Sequence, residues 1–167
     1  AAAGATPTCS TEALPIKDAG NVAFRVGRFE EAVRLFSDAI AVDPSSALLR
    51  SNRAGALSQL GRHSEALADA DMCILLQPGW WKGYLRRGNA QLQLGSFAQS
   101  QLSFAEGLKL NPDDKALAEG LGKARQWQQG HGAWPQSFGP PAGDSAPAAA
   151  TPGASCGQGP RGAAAAC

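Results

Sequence analysis

Residues 75–80 read "LLQPGW". The apolar-periodic run before them ends at Pro78, because proline has no backbone N–H and its ring clashes with the preceding turn of a helix. Working outward, the same punctuation appears as "AVDPSS" at 41–46 and "KLNPDD" at 109–114, so Pro44, Pro78 and Pro112 recur every 34 residues. Upstream of each proline lies the same text: a run with a small residue near its middle, a tight turn, then a second run. The turns are "VGRFEEA" at 26–32, "LGRHSEA" at 60–66 and "LGSFAQS" at 94–100. Apolar residues at helical spacing on both sides of each turn predict an all-α chain of paired helices. A pair cannot bury its apolar face alone, so consecutive pairs must stack.

A helix–turn–helix unit with this period resembles the tetratricopeptide repeat. Repeats are expected at 13–46, 47–80 and 81–114, followed by a capping helix at 115–129. Small residues at Gly20, Ala54 and Gly88 let the paired helices approach, with a second small contact at Ala32, Ala66 and Ser100. Phe36, Ala70 and Phe104 hold the large apolar position, and Ile16, Arg50 and Tyr84 the first aromatic one. Arg50 and Ala70 depart from the pattern, and Gly107 stands where alanine is usual, at about 1 kcal/mol of helix propensity. In the cap, Asp113 and Asp114 suit the positive amino end of a helix, and Lys123 and Arg125 the other end. Leu117, Leu121 and Trp127 should face inward. Such pairs stack into a right-handed superhelical solenoid whose concave face is lined by the first helix of each pair.

The totals limit what else the chain can do. A formal net charge of +1 over 167 residues argues against a broadly basic nucleic-acid binder. No apolar run is long enough to span a membrane. Cys9, Cys73, Cys156 and Cys167 show neither zinc nor redox spacing, which suits a reducing, cytoplasmic setting. Cys73 lies in an apolar helical run and reads as core. Residues 1–12 are small and polar, and residues 130–167 are dominated by Pro, Gly, Ala and Ser, so both are expected to be unstructured. Trp134 and Phe138 are the tail's candidates for transient docking. The opening residues lack both the arginines of a transit peptide and the apolar stretch of a signal peptide. The chain begins without methionine and reads as a fragment or a processed product.

Polar residues on the first helices, at positions not used for packing, should face the groove. Lys17 and Asn21 are four apart and share a helix face, as do Lys82 and Arg86. Asn52 lies between them in repeat two. Gly55 and Ser58 beside it are small and leave room for a peptide backbone, and Phe24 and Asn89 are further candidates for lining the groove. Three cations attract an anion, while two asparagines supply donors and acceptors without repulsion. Taken singly, each has an ordinary reading: lysine and arginine as solvated charges, Asn21 as a local hydrogen-bonding residue, Asn52 as a bridge between repeats. Arg53 and Arg87 read as packing or surface residues, Trp80 and Trp81 as staples at a helix start, and His63 as an exposed turn residue. Neither His63 nor His131 suggests a metal site.

With "KDAGN", "SNR" and "KGYLR" in register, the sequence resembles the tetratricopeptide domains of heat-shock chaperone adaptors, above all the Hsp-organising, stress-induced phosphoprotein family. The resemblance runs from about residue 13 to 129. It implies a two-carboxylate clamp of Lys17, Asn21, Asn52, Lys82 and Arg86. It further implies, as partner, the C-terminal Glu-Glu-Val-Asp tail of heat-shock protein 70 or heat-shock protein 90. On this reading the chain is a monomeric co-chaperone adaptor without cofactor, metal or catalytic machinery. Related clamp domains are joined to prolyl isomerases, protein phosphatases and ubiquitin ligases, so a targeting module of a larger enzyme is the alternative. A repeat scaffold for an unrelated protein partner is another.

Overall fold

The computed structural model describes residues 6–130. Among them are seven α-helices and no strand: α1 (Leu14–Arg25), α2 (Phe29–Val42), α3 (Ala47–Gln59), α4 (His63–Leu76), α5 (Trp81–Gln93), α6 (Phe97–Leu110) and α7 (Lys115–Gln128). The second helices begin at Phe29, His63 and Phe97, so the 34-residue period of the prolines is also the period of the helices. Residues 1–5 and 131–167 lie outside the described residues, and with them His131, Trp134, Phe138 and nearly all of the expected unstructured tail.

Glycine makes each hairpin turn. Gly27, Gly61 and Gly95 have φ of 81°, 74° and 77°, the left-handed conformation that a side chain disfavours. The residue after each glycine donates its N–H back into the last turn of the helix: Arg28 to the Ala23 carbonyl (2.9 Å), Arg62 to Leu57 (3.0 Å) and Ser96 to Gln91 (2.9 Å). The chain thereby reverses within three residues, and the two helices of a pair lie side by side.

Pairs are held close by missing side chains. A Cβ on Gly20 would stand 2.7 Å from the Phe36 ring, and one on Gly88 would stand 2.6 Å from the Phe104 ring. In repeat two both places change together: Ala54 and Ala70 are each fully buried, so the lost aromatic ring is matched by a partner that regains its Cβ. Gly107 is likewise no flaw in α6. A Cβ there would meet Leu117 Cδ2 at 2.6 Å, so the glycine lets the cap approach. Asp114 caps α7 by accepting from the Leu117 N–H at 2.9 Å. Leu117 is fully buried with Leu92, Phe104 and Ala124, and Leu121 and Trp127 pack against that cluster.

Repeat two adds a polar staple. Asp69 on α4 is buried, and Arg53 on α3 grips both of its carboxylate oxygens at 2.6 Å while donating to Ser37 Oγ at 3.0 Å. Arg50, which replaces the aromatic of the repeat pattern, lies 3.7 Å from the same carboxylate. In repeat three Arg87 donates to Ser103 Oγ at 2.9 Å, and that hydroxyl donates to Gln91. Arg53 and Arg87 are thus packing residues, each joining the two helices of its pair.

Two expectations are corrected. Residues 6–12, assigned above to an unstructured segment, pack on the first repeat. The Ser10 N–H donates to Asp43 Oδ2 (2.7 Å), Ser46 Oγ donates to the Thr8 carbonyl (3.0 Å), and Cys9 packs on the cluster of Ala13, Ala39, Ile40 and Leu49. Composition missed this because the anchors are two backbone groups and a small thiol. His63 opens α4 rather than occupying the turn and is half-buried. Burial pushes its pKa below the ordinary value.

The odd-numbered helices pack against one another in succession, α1 on α3, α3 on α5 and α5 on α7, as well as on their hairpin partners. No comparable row joins the even-numbered helices. The shorter, inner side of the solenoid is therefore the row α1–α3–α5–α7. No helix is long and apolar enough to cross a membrane among the described residues.

Candidate functional site

The inner row brings most of the expected polar residues together. Lys17 and Asn21 lie one turn apart on α1, and Asn52 Nδ2 on α3 donates to Asn21 Oδ1 at 3.3 Å. This hydrogen bond joins repeats one and two at the groove. Three residues along α3 from Asn52, the Arg86 guanidinium of α5 lies against Gly55. One helix thus bridges two polar clusters, Lys17–Asn21–Asn52 and Gly55–Arg86, with Lys82 a turn before Arg86.

The three cations are held differently. Lys17 is mostly buried by its surroundings, and its Nζ lies 3.2 Å from the exposed carboxylate of Asp18. Lys82 is exposed, with its Nζ 5.9 Å and 5.6 Å from the ring centres of Trp80 and Trp81, so two aromatic faces steady the ammonium. The Trp80 side chain itself is buried against Ala47 and Cys73 of its own repeat, and Trp81 at the start of α5 packs on the same cluster. Arg86 is the deepest: its Nε is buried without a protein partner. Burial draws its pKa below the ordinary guanidinium value, and an arginine in a protein keeps its proton. Among the described residues no carboxylate lies within 4 Å of Lys82 or Arg86. Arg86, a buried positive charge without an internal counter-ion, is attractive to an incoming anion.

The expected lining residues divide. Gly55 adjoins the groove, but its room is filled by Arg86 rather than left open for a peptide backbone. Ser58 returns its hydroxyl to the Ala54 carbonyl at 2.8 Å, which leaves its small size as its contribution. Phe24 makes an edge-to-face contact with Phe29, ring centres 5.4 Å apart, and packs on the cluster around Phe36. Asn89 opens onto a separate cleft of about 310 Å³ between α5 and α7, shared with Leu85, Gln93, Lys123 and Trp127. Sequence reasoning missed the support given to Lys82 by the Trp80 ring, and it missed Asp69, the buried carboxylate that fixes α3 through Arg53. The repetition of arginine at 53 and 87 was the available signal for the second. No cluster of metal-ligating side chains occurs among the described residues.

Comparison with known proteins agrees with this architecture. The tetratricopeptide repeat model matches residues 17–72 and 85–130. An Hsp70-Hsp90 organising protein of Plasmodium falciparum is 44% identical over 114 residues, covering 68% of this chain and 45% of the relative. The chain spans less than half the length of the curated relatives it matches first. The second tetratricopeptide domain of human RPAP3, solved with the HSP70 peptide SGPTIEEVD, superposes with a TM-score of 0.65 at 34% identity, covering 68% of this chain and 94% of that one. The first such domain of Spaghetti (RPAP3), bound to the HSP90 peptide SRMEEVD, gives 0.69 at 27% identity, covering 72% and 97%. From the helix pairs, the inner row and these matches, the chain belongs to the tetratricopeptide repeat family, where it is similar to the Hsp70-Hsp90 organising proteins.

Proposed function

We propose that this chain is a co-chaperone adaptor module whose inner face binds the C-terminal Glu-Glu-Val-Asp-type tail of heat-shock protein 70 or heat-shock protein 90. Lys17, Asn21, Asn52, Lys82 and Arg86 form the clamp. The observation that carries the proposal is the meeting of three repeats at α3: Asn52 reaches Asn21 of repeat one, and Arg86 of repeat three rests on Gly55. The cationic residues at both ends of this arrangement suit a ligand with two neighbouring carboxylates. The peptide-bound state of both similar domains supports the same class of ligand. The module acts by binding alone, as a monomer in a reducing, cytoplasmic setting.

Each well-formed charge-assisted hydrogen bond contributes about 1.5–3 kcal/mol. Ordering a flexible tail offsets much of that. Two or three such bonds with one packed aliphatic side chain give micromolar affinity, about −8 kcal/mol. Calorimetric titration of a tail peptide tests the assignment. Lys82→Ala or Arg86→Ala should weaken binding at least about tenfold with helical content unchanged. Wild-type affinity in both variants would refute the clamp. Binding should also fall with added salt, since Lys82 at the rim is exposed.

A further inference from the structure

We propose that Gly55 is a positioning residue: its missing side chain seats the Arg86 guanidinium flat against α3, with its outer nitrogens turned to an anion in the groove. This rests on the groove reading given above. The geometry is specific. A Cβ on Gly55 would stand 3.1 Å from Arg86 Cζ, 3.1 Å from Nη2 and 3.2 Å from Nη1. Three atoms of one planar group at nearly equal distance mean that the group turns its face, not its edge, to the place of a Gly55 Cβ. A Cβ there would lift the group by a few tenths of an ångström.

The repeat register explains why the space exists. Position 55 of repeat two corresponds to Asn21 in repeat one and Asn89 in repeat three, one 34-residue step away on either side. At this register α1 presents an asparagine amide that meets Asn52, and α5 presents Asn89 to a cleft. Repeat two presents no side chain at all, and the guanidinium from the next repeat fills the place. Among the described residues no carboxylate lies within ion-pair distance of that headgroup, and its buried Nε has no protein partner. Packing against the α3 backbone is what holds it. Glycine in the middle of a helix is otherwise unfavourable relative to alanine. Affinity and stability should therefore respond in opposite directions to a methyl group at this site.

A double-mutant cycle tests the proposal with a free-acid peptide ending in Glu-Glu-Val-Asp, titrated into the full chain and its Gly55→Ala, Arg86→Ala and doubly substituted forms. Gly55→Ala should weaken binding by about five- to tenfold, the loss of roughly one charge-assisted hydrogen bond. In the Arg86→Ala background the same change should alter affinity by less than about twofold, because it acts through the guanidinium. The melting temperature of Gly55→Ala should not fall. An equal loss in both backgrounds, or no loss in the first, overturns the proposal while leaving the clamp in place. A ligand-free readout separates the two ideas. The Arg86 Nε–H proton should exchange slowly with solvent in the unmodified chain and faster in Gly55→Ala. If that contrast appears but the peptide does not bind, the groove reading fails and the positioning role stands. If the exchange rate is the same in both forms, Gly55 does not seat Arg86.

Discussion

Gly88 and Gly122 are both helical glycines, yet they should respond oppositely to alanine. At Gly88 the place of a Cβ lies 2.6 Å from the Phe104 ring, whereas at Gly122 nothing lies within 4 Å. Gly88→Ala should lower unfolding free energy by about 1–3 kcal/mol through overpacking. Gly122→Ala should raise it by up to about 1 kcal/mol through helix propensity. Urea denaturation of the two variants checks both signs. This scale also marks what sequence could and could not show. Gly20 and Gly88 were legible as close-approach residues because they recur in register with Phe36 and Phe104. Gly107 was read as a defect, since its reason is Leu117 of the cap, a contact no repeat period encodes. The clamp candidates could be named from local motifs. That Arg86 lies on Gly55 could not, because it depends on the crossing of two helices from different repeats.

Among the elements, the α3–α4 pair depends on one buried carboxylate. Asp69 sits between Arg53 and Arg50, so Asp69→Ala leaves two partly buried guanidinium groups without their anion. The unfolding free energy should fall by about 3 kcal/mol, more than for an exposed ion pair such as Arg62–Glu65. Thermal denaturation of Asp69→Ala beside Glu65→Ala makes the comparison. The N-terminal segment offers a second test. The Ser10 N–H holds the Asp43 carboxyl below its ordinary value of 3.8. A depressed carboxyl pKa means that this contribution is present above 3.8 and is lost as pH falls through the lower folded value. Asp43→Ala should release the segment at any pH, and iodoacetamide labelling of Cys9 should become several-fold faster. Cys73 should stay unlabelled in the folded chain, because it is fully buried and burial pushes its thiol up to about 12. Peptide mapping by mass spectrometry follows both cysteines at once. Composition failed at the N-terminal segment because its order comes from hydrogen bonds to Asp43 and Ser46, which hydrophobic periodicity does not report.

Over the whole molecule, the repeat period carried the architecture: once the prolines were spaced at 34 residues, helix pairs, stacking order and inner row followed. What the period left open is which inner-row residues meet. The structure joins Asn21 to Asn52, with Lys17 one turn before Asn21 on α1, and sets Arg86 against Gly55 of α3, with Lys82 steadied by two tryptophans at the rim. The proposed role needs these groups to act together on the acidic end of another protein. The most direct measurement is calorimetric titration of the same Glu-Glu-Val-Asp-ended peptide as free acid and as C-terminal amide. The account predicts micromolar binding of the acid and at least about tenfold weaker binding of the amide. Equal affinity for the two forms would contradict it.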